Sequence, residues 1–312
     1  MKFTKMHALG NDFIVIDDRA AKLKSVSRLA KKLCHRRFGI GADQLLLLGH
    51  SKTADFRMRV FNADGSEVEM CGNGIRCFGK YIWDNVLLCD NTAFARKYCQ
   101  SIESLAVETM AGIKYIYKSG NLFRIDMGEP VFEAEKIPVK LEHRTQNLPA
   151  GQAGSEHRIK YLRSSLVTSH TSQIMNYPLK VKNKVFKITC VSMGNPHAVI
   201  MVADVNSVQL DIFGPLIENH KFFPKRTNVE FVQPHGKNSI KMRVWERGAG
   251  ETMACGTGAS AAAVASALLG LTGRKVNVHL PGGRLLIHWS EKDNHVYMTG
   301  PAVNVFDGTI EI

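Results

Sequence analysis

Apolar and polar residues alternate along this chain in short strand-like runs, and two kinds of helical pattern interrupt them. In the first half, Val26, Leu29, Ala30, Leu33 and Cys34 have the spacing of a helix buried on one face, and a glycine follows it. A second helix is predicted after residue 71, where apolar residues recur at positions 75, 78 and 82. The strands predicted for this half are 2–6, 13–17, 45–48, 56–61, 105–109, 113–118 and 122–126.

The second half repeats this order of elements. Its central helix, predicted at 257–269, consists of small residues without bulk on any face, which indicates a helix enclosed by a curved sheet. The strands predicted here are 185–190, 198–202, 228–232, 240–245, 276–280, 284–289 and 296–299. We therefore predict an α+β fold of two pseudo-symmetric domains, each a curved mixed or antiparallel sheet around a central helix. The expected domains are 1–128 and 129–301, with 302–312 returning to the first and a basic insertion at about 141–184.

A direct sequence repeat supports this duplication. Segments 56–74 and 240–258 are identical at seven of nineteen positions, where average composition gives about one. Each runs from an apolar strand through a Gly-rich turn to a cysteine that precedes Gly-X-Gly. One constant offset along the chain relates all the matched positions: Cys71 with Cys255, Asn11 with Asn195, Gln44 with Asn228, and Asn62 with Glu246.

Composition limits the class of protein. The 312 residues are 45% hydrophobic and 22% charged, as in a soluble globular protein. The opening MKFTKMHALGND has no long apolar stretch after its basic residues, which argues against a signal peptide, and the small-apolar run 261–269 is too short to span a bilayer. The seven cysteines are odd in number and form no C-x-x-C pair, so neither a disulfide framework nor a metal site is expected. These features predict a cytoplasmic protein with no membrane partner.

The net charge of +13 raises the alternative of a nucleic-acid-binding module. Much of the excess lies in one segment, because residues 136–187 contain ten Lys or Arg residues and two acidic residues. This segment has a loop-like composition and lies outside the repeated units. It is interpreted as a solvated surface insertion, and nucleic acid is not the expected partner.

Cys71 and Cys255 are the candidate catalytic residues. Each is expected at the start of a helix, where unpaired backbone N–H groups and the helix dipole favour an anion. A thiol in that place is expected to have a lowered pKa, and the following glycines let backbone amides approach a ligand. A single copy of this motif is weak evidence for a functional site, whereas two copies in register indicate a site shared by the two halves.

Two thiols that face one ligand can invert a stereocentre. One thiolate removes the proton from an α-carbon while the opposite thiol supplies another proton from the other side. The two helix N-termini can bind the α-carboxylate and stabilise the charge that spreads onto it. The chain has no pyridoxal-phosphate lysine motif, so no cofactor is expected.

Polar residues in the duplicated scaffold complete the candidate site. Amide side chains offer both a donor and an acceptor, Glu246 can pair with an ammonium group or tune a thiol, and Arg247 can bind a carboxylate in bidentate fashion. His197 follows an Asn-Pro pair and could set the charge of the thiols. A cap or turn contact is the alternative for such residues, and for His197 the two interpretations stay open.

These residues resemble the diaminopimelate epimerase family. The motifs that carry the resemblance cover nearly the whole chain apart from about 141–184: HALGNDFIVID, GADQ, FNADGSEVEMCGNG, SMGNPHAV, RTNVEFV, WERGAGETMACGTGA and MTGPAV. The resemblance implies a cofactor-independent two-base epimerase that interconverts LL- and meso-diaminopimelate in lysine and cell-wall precursor synthesis, as a homodimer whose domains close over the substrate. It also implies that Phe306 stands where relatives often have a tyrosine near the dimer contact.

By the same resemblance, Cys71 and Cys255 form the acid/base pair, and His197 and Glu246 tune their pKa values. The residues implied to bind substrate are Asn11, Gln44, Asn62, Gly72, Asn73, Asn195, Asn228, Glu246, Arg247, Gly256 and Thr257. A cofactor-free isomerase of the same architecture, such as a proline racemase, is the nearest alternative. Its ligand has one carboxylate and no distal ammonium group, whereas the polar set here suits a substrate with two amino-acid ends.

Overall fold

The computed structural model describes residues 1–87, 103–140 and 173–311. Among the described residues, the first half contains two α-helices and eight strands. In chain order these are β1 (Lys2–Ala8), β2 (Asn11–Asp17), α1 (Val26–Cys34), β3 (Gln44–Gly49), β4 (Phe56–Asn62), β5 (Glu67–Val68), α2 (Gly72–Tyr81), β6 (Ser104–Thr109), β7 (Gly112–Ser119) and β8 (Leu122–Asp126). A π-helical turn, Ile82–Leu87, extends α2.

In the described part of the second half there are ten strands, a short 3-10 turn at Val205–Ser207 and two α-helices. These are β9 (Tyr177–Val181), β10 (Lys184–Ser192), β11 (Pro196–Met201), α3 (Leu210–Glu218), β12 (Asn228–Pro234), β13 (Ser239–Glu246), β14 (Gly250–Thr252), α4 (Gly256–Leu268), β15 (Lys275–Leu280), β16 (Gly283–Trp289), β17 (Val296–Pro301) and β18 (Val303–Thr309).

The two halves repeat one topology and one strand register. In each half, a parallel pair, β2–β3 or β11–β12, is joined through a helix. An antiparallel neighbour, β4 or β13, comes next and pairs in parallel with β6 or β15. Phe13 lies opposite Gln44 in β2–β3, and His197 lies opposite Asn228 in β11–β12, so positions matched in the sequence repeat are also matched in space.

Each central helix lies inside its curved sheet. Helix α2 contacts strands β1–β4, β7 and β8, and α4 contacts β10–β13 and β15–β17. Because α4 has only small side chains and one valine before its last residue, Leu268, strands can surround it on all sides. It is buried from Gly256 to Ser266 except at Thr257. The predicted α+β fold of two sheet-wrapped helices is therefore confirmed.

The outer helices α1 and α3 cover the opposite faces of the sheets. The apolar face of α1 packs over β2 and β3, and α3 packs in a second cluster with β9–β12. The main core contains side chains of both α2 and α4, such as Phe78 and Val264, so the two halves share one apolar interior.

Strand pairing joins the halves at two places. Strand β8 pairs antiparallel with β17, and the backbone N–H of Met127 donates to the Val296 carbonyl at 2.9 Å. The C-terminal strand β18 pairs antiparallel with β1, which lies at the other end of the chain. The cysteine-bearing helices are thereby held on either side of one seam.

The sequence pattern missed helix α3. Its apolar residues Leu210, Phe213 and Ile217 have helical spacing, but Pro215 interrupts the segment, and proline is disfavoured in helix interiors. Residues 141–172 of the predicted basic insertion lie outside the described residues. The remainder, 173–184, contains β9, and Ile174 and Leu179 are buried in the core of the second half. In the described part of the chain, no helix has the length and apolar character needed to cross a membrane.

Candidate active site

Both cysteines cap the start of a central helix in the same conformation. Cys71 has φ −130° and ψ 118°, and its Sγ accepts the Gly74 N–H at 3.5 Å. Cys255 has φ −120° and ψ 117°, and its Sγ accepts the Gly258 N–H at 3.4 Å. The extended backbone at each cysteine follows from the incoming turn, and the first-turn N–H groups without intrahelical partners point toward the sulfur.

The two helix starts face each other across the seam. A Cβ atom added to Gly72 would lie 3.7 Å from the Cα of Gly256, and one added to Gly256 would lie 2.8 Å from the Sδ of Met298. The Asn73 side chain crosses the seam and donates to the carbonyl of Ala254 at 2.9 Å. The two glycines bring the helix starts within van der Waals contact, and a side chain at Gly256 would displace Met298.

Amide side chains surround Cys71. The Asn11 Oδ1 atom lies 3.7 Å from Cys71 Sγ and accepts from Asn73 Nδ2 at 3.3 Å. Asn11 Nδ2 donates to Asp43 Oδ2 at 2.7 Å, which fixes the orientation of this amide. The oxygen of Asn11 therefore faces the sulfur as an acceptor for the thiol.

A longer chain of hydrogen bonds leads to Cys255. Its Sγ lies 3.5 Å from the hydroxyl of Thr257, which accepts from Asn195 Nδ2 at 3.3 Å. The Oδ1 of Asn195 lies 3.0 Å from Nε2 of His197, a fully buried side chain. A chain of hydrogen bonds through Asn195 and Thr257 thus links His197 to Cys255.

The remaining predicted residues form two further pairs and one isolated contact. Gln44 Nε2 donates to Asn62 Oδ1 at 2.8 Å. At the matching place in the second half, Asn228 Oδ1 accepts the backbone N–H of Arg247 at 2.9 Å. Glu246 accepts from the Thr252 hydroxyl at 2.5 Å.

Burial dominates the proton affinity of both cysteines. Burial and, to a smaller extent, the charge of Glu246 raise the pKa of Cys71 to about 11 against the lowering by the Gly74 N–H. Burial, together with Glu246, also raises the pKa of Cys255 well above its usual value. The lowered pKa expected from the helix starts was wrong, because desolvation of the thiolate outweighs the effect of the N–H groups and the dipole.

Two further buried residues of the site were missed in the sequence. Arg76 is fully buried, and it donates to Asn73 Oδ1 at 2.7 Å and to the Gly72 carbonyl at 3.1 Å. Burial lowers its pKa to about 10. Glu230 is fully buried beside His197, with a His197 Nδ1 to Glu230 Oε1 distance of 2.6 Å. A charged residue inside an otherwise apolar strand or helix face was the available signal for both.

Comparisons with known proteins identify one family. The sequence model of the family described as diaminopimelate epimerase matches residues 3–133 and 189–305. The chain is 45% identical over 317 aligned positions to a diaminopimelate epimerase of Methanococcus maripaludis, covering 100% of both chains. It is 48% identical to a diaminopimelate epimerase of Moorella thermoacetica, covering 99% of this chain and 98% of the relative.

Solved structures show the same fold at low sequence identity. A phenazine biosynthesis protein of the PhzF family from Bacillus anthracis aligns with a TM-score of 0.63 at 16% identity, covering 100% of this chain and 99% of that one. A hydroxyproline epimerase from Agrobacterium vitis aligns with a TM-score of 0.61 at 11% identity, covering 99% and 90%. The full-length matches at 45% and 48% identity are far more specific than this shared architecture, and the chain belongs to the diaminopimelate epimerase family.

Proposed function

We propose that this protein interconverts LL- and meso-diaminopimelate by a cofactor-independent two-base reaction, as a step in lysine and peptidoglycan precursor biosynthesis. One observation carries the proposal. Two cysteine-capped helix starts meet glycine to glycine across the seam, with a Gly72 Cβ position only 3.7 Å from the Gly256 Cα. This arrangement offers one sulfur from each half to a ligand bound between them.

The reaction needs two proton transfers at one carbon. The thiolate of one cysteine, Cys71 or Cys255, takes the α-proton, and the electron pair stays on the substrate as a carbanion. The thiol of the other cysteine then gives its proton to the opposite face of that carbon. The configuration is inverted, and the two sulfurs have exchanged their protonation states.

The helix starts also supply the electrostatic stabilisation. The N–H groups around Gly72, Asn73, Gly256 and Thr257 are placed to bind the α-carboxylate, because helix N-termini favour anions. The carbanion delocalises its charge onto this carboxylate, so the same donors stabilise the transition state. Burial of the site strengthens each of these interactions by excluding water.

Polar residues further from the sulfurs suit the second amino-acid end of diaminopimelate. Gln44 supports this role because its Oε1 atom is buried and has no hydrogen-bond partner among the described residues. Such an atom is costly unless a ligand satisfies it. The residues proposed for the distal ammonium and carboxylate groups are Gln44, Asn62, Asn195, Asn228, Glu246 and Arg247, and Asn11 is proposed to contact the reacting end.

Solvent exchange distinguishes this function from that of a proline racemase, whose architecture is similar. The purified protein is incubated in D2O with LL-diaminopimelate or with L-proline. We expect one deuterium at an α-carbon of diaminopimelate, formed together with the meso isomer, and no deuterium in proline. Exchange into proline without exchange into diaminopimelate would reject the substrate assignment.

We also propose that the protein acts as a homodimer in the cytoplasm, where its thiols stay reduced. In support, Val303, Val305 and Phe306 on β18 are each at least 41% exposed, and β18 pairs only with β1 among the described residues. Exposed apolar side chains beside a free strand edge suit a contact with a second copy. Sedimentation of Phe306→Glu beside the unchanged chain is expected to show a shift from dimer to monomer, and a monomer in both would contradict the proposal.

A further inference from the structure

The two cysteines differ in what lies behind their helix starts. In the second half, His197 on β11 and Glu230 on β12 are adjacent and ionisable. The offset that relates the two halves places Phe13 on β2 and Leu46 on β3 at the matching positions of the first half. The two halves therefore share the backbone arrangement, but the second half has an ionisable pair of side chains where the first half has an apolar pair.

The replacement occurs directly against the cysteine turns. A Cβ atom added to Gly74, in the Cys71 turn, would lie 3.2 Å from Phe13 Cε1 and 3.3 Å from Leu46 Cδ2. A Cβ atom added to Gly258, in the Cys255 turn, would lie 2.9 Å from Glu230 Oε1 and 3.4 Å from the Cys255 sulfur. A carboxylate thus occupies the place beside Cys255 that hydrocarbon occupies beside Cys71.

Glu230 is oriented by His197. Both side chains are fully buried, and Glu230 Oε1 lies 2.6 Å from His197 Nδ1. The Nε2 atom of His197 faces the Asn195 oxygen at 3.0 Å, so its N–H donates there. Glu230 Oε2 has no partner in the described part of the chain. A buried charged group with an unsatisfied oxygen is costly, which points to a functional reason for keeping it.

The carboxylate has a continuous path to one sulfur. Glu230 holds the His197 ring through the hydrogen bond between its Oε1 atom and Nδ1, and the His197 Nε2–H orients the amide of Asn195. Asn195 Nδ2 then donates to the Thr257 oxygen, which turns the Thr257 hydroxyl proton toward Cys255 Sγ at 3.5 Å. Loss of the Glu230 carboxylate would therefore leave His197, Asn195 and the Thr257 hydroxyl free to change orientation.

The titratable and charged groups that face Glu230 come from four neighbouring elements. They are Cys190 on β10, His197 on β11, Glu246 on β13 and Cys255 at the start of α4. Burial raises the pKa of Glu230, and His197 lowers it. Burial is the largest cause of the raised pKa of both cysteines, and the charge of Glu246 adds to it in both. The charge of Glu230 adds to the raised pKa of Cys255, whereas the charge of Arg76 lowers the pKa of Cys71.

We propose that Glu230 is a positioning residue that acts through His197 and gives Cys255 a proton affinity different from that of Cys71. This inference deepens the proposed function, since it explains how two thiols in matching turns can take distinct roles in one reaction. It concerns the free enzyme, so it can be tested without diaminopimelate.

Alkylation rates test the proposal. The protein and its Glu230→Gln variant are treated with limiting iodoacetamide at pH 8, and mass mapping gives the initial rates at Cys71 and Cys255. Glutamine has the shape of glutamate but no charge, so the thiolate of Cys255 becomes more populated. We expect its rate to rise by about three- to tenfold, since one pKa unit is tenfold in thiolate, with the rate at Cys71 unchanged.

Glu218→Gln is the matched control. Glu218 is also a buried carboxylate of the second half, but it bonds the Trp245 indole N–H and the Gly248 N–H. It should leave the ratio of the two rates unchanged. An equal change at both cysteines in Glu230→Gln, or no change at Cys255, would overturn the proposal.

A double variant covers the case in which Glu230→Gln does not fold. His197→Phe with Glu230→Leu copies the apolar pair of the first half, so its packing has a precedent in the same fold. The rate at Cys255 should again rise relative to Cys71, and an unchanged ratio would contradict the proposal. If the alkylation rates change as expected but no deuterium enters diaminopimelate, the proposed substrate is refuted and the proposed role of Glu230 is still supported.

Discussion

The starts of α2 and α4 have the same cap geometry and different surroundings. Each has a cysteine cap whose sulfur accepts an N–H group three residues on, at 3.5 Å in one and 3.4 Å in the other. Behind one lie Phe13 and Leu46, and behind the other lie His197 and Glu230. Duplication has thus provided the facing geometry, and later divergence has provided the chemical difference between the two sulfurs.

A second difference lies one turn into each helix. Arg76 in α2 and Ser260 in α4 occupy matched positions of the sequence repeat. Both donate to the carbonyl of the first glycine of their helix, Arg76 Nη1 to Gly72 at 3.1 Å and Ser260 Oγ to Gly256 at 3.0 Å. Arg76 also reaches Asn73 and Pro301, so the first half carries a buried cation where the second has a hydroxyl.

The largest expected effect comes from removing either sulfur. Cys71→Ala and Cys255→Ala should each lower epimerisation by at least about 10² to 10⁴-fold, the contribution typical of a positioned acid or base. Each variant should still exchange deuterium into one isomer only, and the isomer should differ between the two. Deuterium incorporation into separate LL and meso samples measures this.

Thermal unfolding is the control for these variants, because a small buried thiol contributes little core volume and both proteins should stay folded. Full turnover by either variant, or exchange of both isomers by both variants, would contradict a two-base scheme.

A smaller effect on stability should separate Arg76 from Ser260. Arg76→Met leaves the Asn73 amide oxygen and the Gly72 and Pro301 carbonyls without their donor, so we expect a loss of about 2–4 kcal/mol of unfolding free energy. Ser260→Ala removes one hydrogen bond and should cost about 1 kcal/mol. Urea unfolding with equal m values measures both. Equal losses would mean that the arginine contributes no more than the hydroxyl at its matched position.

The smallest expected effect concerns a pair at the seam between the halves. His295 Nδ1 lies 2.8 Å from Asp126, which raises the pKa of the histidine above its ordinary 6.5. A raised folded-state pKa means that this stabilisation is complete below pH 6.5 and is lost as pH rises through the folded value. Since His295 is 36% exposed, the gain is at most about 1 kcal/mol.

The Asp126→Asn variant tests this pair. Its melting temperature should fall below that of the unchanged protein at pH 6, and the difference should shrink by pH 9. A difference that is independent of pH would show that the ion pair does not contribute.

Much of the fold was readable from the sequence because its signals are local. The small-residue composition of α4 predicted an enclosed helix, and alternating runs predicted the strands on either side. Helix α3 was missed because Pro215 weakens its pattern, although tertiary packing of Phe213 and Ile217 stabilises it. Arg76 and Glu230 were missed because a single charged residue in an apolar segment does not show whether it is buried or which distant strand it contacts.

The sequence repeat identified residues that the structure brings together, but it did not predict their electrostatics. Asn11, Asn73, Asn195 and Thr257 were named from matched positions, and the structure places them within hydrogen-bond chains that reach the two sulfurs. The pKa shift of Cys71 and Cys255 was predicted in the wrong direction. A helix start can be read from a Cys-Gly-X-Gly motif, whereas desolvation depends on everything that packs around it.

The sequence by itself determined the duplication, the strand and helix order, and the pair of cysteines, because periodicity and internal repeats are properties of the chain. Only the tertiary structure decided that the two helix starts meet at Gly72 and Gly256 and that the buried carboxylate of Glu230 lies beside the Cys255 turn. The physical reason is that backbone propensity depends on residues close together in the sequence, whereas contacts and burial depend on strands that are far apart in the chain.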